Sequence, residues 1–147
     1  MTKKLGREHR EFLEGRFAEW LREQPEAMEL RNKLLSIAGQ AVVAPPNNYE
    51  SDMAALLQSG RVISGTPTVK EMSENGCHQN AAKLWRESDQ QVFGIGTGFG
   101  LNGGLWRQHT WAMDAGTIIE TTGGREIYFG ILYYGKEAER FCQTIGE

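Results

Sequence analysis

The chain has 147 residues, a length that suits one domain with a sizeable hydrophobic core and leaves little room for a second domain. Its 39% hydrophobic and 24% charged residues are typical of a globular protein. The formal net charge of -3 argues against nucleic acid as a partner, because neutralising phosphates requires a basic surface. No apolar run reaches membrane-spanning length and no charged start leads into an apolar core, so we predict a cytoplasmic protein with no membrane partner.

The first 44 residues carry a helical pattern in two parts. Apolar residues recur at helical spacing over residues 7–24 and again over residues 26–40, with Pro25 between the two runs. Proline suits the first turn of a new helix. The segment therefore predicts a helical hairpin, or one kinked helix, that covers a face of the structure that follows.

Residues 45–76 are predicted to be a loop that contains one short helix. Pro45-Pro46 cannot continue a helix, so the N-terminal helical segment ends before it. Ser51-Asp52 is suited to cap the short helix. Val62-Ile63 then predicts a short strand.

From residue 77 onward the pattern predicts a helix, four strands and a closing helix at residues 136–145. After the helix, the spacing of apolar residues changes from a helical period to a period of two. Turn residues separate four predicted strands, at residues 91–100, 105–114, 117–122 and 128–134. We therefore expect one α+β domain, in which the N-terminal helices pack on a twisted antiparallel meander of about four strands.

The first predicted strand has glycine at every second position, namely Gly94, Gly96, Gly98 and Gly100. In a regular strand these glycines leave one face bare. Because glycine weakens a strand, a bare face indicates close approach by a backbone, a helix or a ligand. This feature mildly favours a peptide-like substrate.

Cys77 follows the turn signal Asn75-Gly76 and lies at the start of a predicted helix. Unpaired N–H groups and the positive end of the helix dipole at this position favour a thiolate over a thiol. Such an environment is one of the few that makes a cysteine nucleophilic near neutral pH. A nucleophile also needs a base and a group that orients the base.

His109 is the candidate base and points to the opposite face of its strand from Gln108. On the neighbouring strand, either Glu120 or Thr122 lies near the level of His109, depending on the register. A carboxylate there would accept from one imidazole nitrogen and leave the other facing Cys77. General-base catalysis requires this combination of a base and an orienting group.

These residues resemble the core of the transglutaminase-like branch of the papain-like superfamily. The resemblance lies in Gly76-Cys77 opening a helix with Ala81 four residues on, followed by the strand motifs His109-Thr110-Trp111 and Glu120-Thr121-Thr122. It covers a little under half of the chain. The acid is Glu where Asp is commoner, the segment from His to acid is short, and no papain-type oxyanion Gln lies shortly before the cysteine.

The resemblance implies that Cys77 is the nucleophile, His109 the general base and acid, and Glu120 the orienting carboxylate. It implies thiol-dependent acyl chemistry, which covers amide hydrolysis, deamidation and acyl transfer, on a peptide, protein or small amide substrate. A catalytically inactive interaction module on the same fold is the alternative, because of the Glu and the missing oxyanion side chain.

Four further residues are predicted to form or support the substrate cleft. Trp106 and Trp111 are amphipathic aromatics on either side of the histidine, and such residues serve as core or as cleft wall. Gln108 adjoins the histidine, and Asn75 belongs to the turn before the cysteine.

Each member of the set also has a purely structural interpretation. His109 fits a core histidine with satisfied hydrogen bonds, and Cys142, in an apolar helix, is interpreted as a small buried hydrophobe. Glu120 follows two isoleucines and would be costly to bury unpaired, so it needs a donor, either His109 or Arg125.

Cysteine and histidine together also raise the question of a metal or a disulfide. Cys77, His109 and Cys142 lack the short paired spacings of zinc motifs, so we expect no metal and no other cofactor. A redox sensor is a third possibility, and it requires the Cα atoms of the two cysteines within about 7 Å. The sequence leaves the oligomeric state open.

Overall fold

The structure, a computed structural model, describes residues 6–45, 53–63, 66–70, 72, 76–87 and 93–145. In these residues the chain forms five helices, α1 (Arg7–Glu23), α2 (Ala27–Ile37), α3 (Met53–Ser59), α4 (Cys77–Arg86) and α5 (Gly135–Ile145). The strands are β1 (Ala41–Val42), β2 (Arg61–Ile63), β3 (Thr68–Val69), β4 (Phe93–Asn102), β5 (Leu105–Asp114), β6 (Thr117–Glu120) and β7 (Ile127–Tyr134). The α+β class predicted from the sequence is confirmed.

The two N-terminal helices are separate, as the hairpin prediction requires. α1 buries Leu13, Phe17 and Trp20, which lie at helical spacing on one side. The Trp20 indole donates to the Gln24 side chain over 2.8 Å and so closes the end of the helix. α2 ends earlier than predicted, two residues before Gly39, which adopts a left-handed φ of 92°.

The sheet is larger than the four strands predicted. Its strands lie in the order β2-β7-β4-β5-β6-β3, and β1 pairs with β5 outside this path. All pairs are antiparallel except β3 with β6 and β1 with β5. The sequence missed β1 and β3 because each has only two residues, too few for an alternating pattern to show. The predicted cap Ser51-Asp52 lies outside the described residues.

The strands β4 to β7 do not form the predicted meander. β7 pairs with β4 instead of with its predecessor β6, so the intervening residues 121–126 cross back over the sheet. The Glu126 backbone N–H donates to the Leu101 carbonyl over 2.8 Å along this crossing. The crossing carries residues 121–126 past the end of the hairpin between β4 and β5.

Most buried helical residues pack on one face of the sheet, in two core clusters, while Leu13 of α1 lies in a smaller third cluster with Ala41 and Leu105. α1, α2 and α3 pack against side chains that include Phe99 and Trp106, and α4 and α5 pack against side chains that include Ile95. The opposite face holds a cluster that contains Trp111 and Tyr128 and, within the described part of the chain, no helical residue. No helix in the described residues has the length and apolarity needed to span a bilayer.

The glycine-lined face of β4 is covered by the chain's own side chains. A Cβ atom built on Gly96 would lie 2.2 Å from the indole of Trp111, so the ring lies directly against the backbone. Tyr134 covers Gly94 in the same way, and Arg125 covers Gly100. The expected close approach therefore occurs, but the occupants are side chains, so these glycines no longer favour a peptide substrate.

Candidate active site

His109 and Glu120 form a buried pair on the face of the sheet opposite the helices. Their side chains are 1% and 0% exposed, and His109 Nε2 lies 2.8 Å from Glu120 Oε1. The register of β5 with β6 places the carboxylate within reach of the ring, because Ala112 faces Ile119 at the last pair of this ladder. Of the two residues that the sequence left open, Glu120 and Thr122, the structure brings Glu120 to the histidine.

Glu120 is surrounded by hydrogen-bond donors. Tyr128 donates its hydroxyl to Oε1 over 2.6 Å, and Thr122 donates its backbone N–H and hydroxyl to Oε2 over 3.0 and 3.1 Å. Burial alone would raise the pKa of Glu120, but the hydrogen bonds from His109, Tyr128 and Thr122 outweigh it and lower the pKa to about 2. The residue is therefore a carboxylate at neutral pH.

An ionised carboxylate only accepts hydrogen bonds, and this determines the tautomer of His109. Nε2 carries the proton that is shared with Glu120, and Nδ1 is left with a lone pair. Burial, with a smaller effect of the nearby Arg125 charge, lowers the pKa of His109 against the opposing influence of Glu120. At neutral pH the ring is a neutral base whose free nitrogen points away from the carboxylate.

The free nitrogen faces Arg125, which the sequence suggested only as a possible partner of Glu120. Arg125 Nη2 lies 3.4 Å from His109 Nδ1, and Nη1 donates to the Gly123 carbonyl. The sequence did not place Arg125 beside His109 or Tyr128 beside Glu120. Neither carries a local signal, because both reach the site only through the crossing of residues 121–126 and the pairing of β7 with β4.

Cys77 lies at a gap in the sheet. On the side of β5 away from β4, β1 pairs with residues 105 and 106 and β6 pairs with residues 112–114, so no described strand covers the edge between them. The half-buried Cys77 thiol lies at this edge, where the backbone of Thr110 and that of His78 in the first turn of α4 act to lower its pKa.

The thiol is not activated in this conformation. Burial raises the pKa of Cys77, and this effect outweighs the lowering by the Thr110 and His78 backbone and by the Arg125 charge. The thiolate predicted from the start of a helix is therefore not favoured here. Among the described residues, Cys77 and His109 form no direct hydrogen bond, although both lie close enough to Arg125 and Glu120 to feel their charges.

Two side chains of α4 anchor the cysteine-bearing helix on the sheet. His78 Nδ1 hydrogen-bonds the Thr110 hydroxyl, which also lies 3.1 Å from the hydroxyl of Thr97. Asn80 donates to the Thr121 hydroxyl over 3.3 Å. The position of Cys77 is therefore set by contacts to β5 and to the residue after β6.

The predicted supporting residues have different locations. Trp111 stacks beside His109, with ring centroids 6.0 Å apart, and forms a wall of the site. Trp106 does not belong to the cleft: it lies on the opposite face, in the core beneath α1 and α2, where its indole donates to the Ala38 carbonyl over 2.9 Å. Gln108 is half-buried on that opposite face, and Asn75 lies outside the described residues.

Cys142 is a free thiol buried in the core cluster of α4 and α5, which agrees with its interpretation as a small hydrophobe. Among the described residues, no three His, Cys, Asp or Glu side chains are grouped so that they could hold a metal ion.

Comparison with protein-family models, with curated proteins and with solved structures gives no match to this chain. The function of the site is therefore inferred from its geometry and chemistry. The arrangement combines a buried carboxylate, a neutral imidazole of defined tautomer, a half-buried thiol and a cation.

Proposed function

We propose that the protein performs thiol-dependent acyl chemistry on an amide or related acyl bond. In this proposal Cys77 is the nucleophile, His109 is the general base and acid, and Glu120 orients the imidazole. The observation that carries it is the buried hydrogen bond between His109 and Glu120, which holds the ring as a neutral base with its free nitrogen outside the pair. The order of helix-borne cysteine, strand-borne histidine and strand-borne acid supports a transglutaminase-like core as part of the same proposal.

The reaction proceeds in two steps. The proton of the Cys77 thiol passes to His109 Nδ1, sulfur bonds to the carbonyl carbon, and the C=O electron pair moves to oxygen. The intermediate collapses to a thioester as the C–N bond breaks, and the leaving amine takes the proton from Nδ1. Water or a second amine then attacks the thioester and returns the thiol, so hydrolysis, deamidation and transfer differ only in the substrate and the second nucleophile.

The start of α4 suits the negative charge that develops during attack. Backbone N–H groups in the first turn of a helix lack intrahelical partners and point outward at the helix end. A carbonyl oxygen attacked by Cys77 would lie near these donors. They would supply the stabilisation that a papain-type glutamine provides in the related fold.

Before attack, the site must change locally. Sulfur has to come within hydrogen-bond reach of Nδ1, which in this structure faces Arg125 over 3.4 Å. The raised pKa of Cys77 and the contact of Arg125 with Nδ1 also favour a second candidate function, a non-enzymatic interaction module built on the same fold.

A chromogenic ester separates the two candidates without knowledge of the natural substrate. With p-nitrophenyl acetate, we expect a burst of p-nitrophenolate and an acetyl group on the Cys77 peptide by mass spectrometry. The burst should be absent in Cys77→Ala and strongly slowed in His109→Ala, while Cys142→Ala serves as the matched cysteine control. If wild type and His109→Ala are acetylated at the same rate, the proposed acyl chemistry is wrong and the interaction module is the remaining candidate function.

A further inference from the structure

Arg125 is a half-buried cation that lies directly beside the proposed base, His109. Its side chain runs along β4: a Cβ atom built on Gly100 would lie 2.9 Å from Cγ and 3.2 Å from Cδ of Arg125. The absence of a side chain at Gly100 therefore lets the guanidinium reach the site, where its nitrogens meet the Gly123 carbonyl and His109 Nδ1.

The partners of this guanidinium are both neutral. Within the described part of the chain, the Arg125 side chain forms no ion pair with a carboxylate, and its contact to Nδ1 is long at 3.4 Å. Glu120 lies on the far side of the imidazole and is already satisfied by its own donors. A guanidinium prefers two parallel hydrogen bonds to one planar anion, which these partners do not supply.

We propose that Arg125 forms an anion-binding subsite next to His109, so that the natural substrate carries a carboxylate or a similar anionic group close to the reacting carbonyl. That the anion belongs to a substrate rests on the proposed acyl chemistry. The anion-binding subsite itself depends only on Arg125 and its neighbours. The charge of Arg125 also acts to lower the pKa of Cys77, against the larger raising effect of burial.

Binding of an anion would have a second effect on the same site. A carboxylate offers the guanidinium two charged acceptors in place of the single long contact to Nδ1. The guanidinium then turns toward the anion and releases the nitrogen that has to accept the thiol proton. An anionic substrate therefore binds to Arg125 and also frees His109 Nδ1 to accept the thiol proton.

Two alkylating reagents of nearly equal size test the subsite, because iodoacetate is an anion and iodoacetamide is neutral. We expect the rate ratio of iodoacetate to iodoacetamide at Cys77 to be about tenfold higher in wild type than in Arg125→Gln at low salt. Arg125→Lys should keep part of the difference, and added sodium chloride should reduce it. Arg22→Gln, an exposed arginine on α1, is the control with the same charge change.

The outcomes distinguish the subsite from simple activation of the thiol. If Arg125→Gln slows both reagents by the same factor, Arg125 acts only on the sulfur and the subsite is wrong. A fall confined to iodoacetate, absent in Arg22→Gln, supports the subsite. Unchanged circular dichroism and thermal unfolding of the variants would show that the fold is intact.

A second measurement does not require a reactive cysteine. Titration with sodium acetate should shift the ring resonances of His109 by NMR in wild type and leave them unchanged in Arg125→Gln. If acetate shifts them but neither alkylating reagent labels Cys77, the subsite stands and the acyl chemistry is wrong. If acetate has no effect in wild type, the anion subsite is wrong, whatever the reactivity of the thiol.

Discussion

His109 Nε2 and Glu120 Oε1 lie 2.8 Å apart, with both side chains almost completely withdrawn from solvent. A buried carboxylate is costly unless donors surround it, and here four hydrogen bonds from three residues satisfy its two oxygens. The pair therefore contributes both to the stability of the fold and to the proposed chemistry, and most of the following predictions depend on it.

Replacing Glu120 with Gln should impair both properties. The glutamine amide keeps one acceptor oxygen, but its NH₂ group points at hydrogen-bond donors that the carboxylate accepted from. The preference of His109 for the tautomer protonated at Nε2 is also lost. We expect a loss of about 3 kcal/mol in the free energy of unfolding and of about a thousandfold in the rate of Cys77 acetylation. Urea denaturation and the burst assay measure these quantities.

Glu126→Gln is the matched control, because Glu126 is an exposed carboxylate on the same crossing segment. Its effect on unfolding should stay within about 0.5 kcal/mol. If Glu120→Gln proved equally mild, the buried carboxylate would have no role in holding the ring.

Stability should fall in acid because of the same pair. The pKa of Glu120 is lowered to about 2 in the fold, below its ordinary value of 4.5, so the unfolded chain binds the proton first as the pH falls. The stabilisation is present above about pH 4.5 and is lost as the pH approaches 2; the shift corresponds to about 3 kcal/mol. Burial also lowers the pKa of His109, which adds a loss that begins below its unfolded value of about 6.5.

Denaturant titrations of wild type and Glu120→Gln at pH 7, 5 and 3 test this pH dependence. The stability advantage of wild type should shrink between pH 5 and pH 3. An advantage that stays constant over this interval would contradict a lowered pKa for Glu120.

Gly96→Ala should destabilise the protein through Trp111. The new methyl group would lie 2.2 Å from the indole, well inside van der Waals contact, so the ring that walls His109 must move. Overpacking of this kind costs about 1–3 kcal/mol, and the acetylation rate should fall with it. At Gly124 an added methyl would have no neighbour within 4 Å, so thermal unfolding of Gly124→Ala should match that of wild type.

Tyr128→Phe removes one donor from Glu120 without changing the shape of the core. The hydroxyl donates to Oε1 over 2.6 Å, so its loss should cost about 1–2 kcal/mol of stability and raise the pKa of the carboxyl. Tyr134→Phe, at a tyrosine that is 42% exposed, should have almost no effect. Equal unfolding free energies for the two variants would show that the Tyr128 hydroxyl does not stabilise Glu120.

Much of the secondary structure was predictable because it depends on the pattern of consecutive residues. The alternation over residues 105–114 predicted β5 to the residue, and the helical spacing over residues 7–24 predicted α1, although Phe12 of that apolar pattern is exposed and only Leu13, Phe17 and Trp20 are buried. The sequence also identified three side chains of suitable chemistry, Cys77, His109 and Glu120, and the structure brings them to one region.

Other features depend on contacts between distant parts of the chain, and only the tertiary structure decided them. The pairing of β7 with β4, the placement of Arg125 across Gly100 and the burial that raises the pKa of Cys77 leave no local pattern. The physical reason is that side-chain periodicity reports which way each residue of an element points. Strand partners, burial and the neighbours of a charge depend instead on which segments meet in the folded chain.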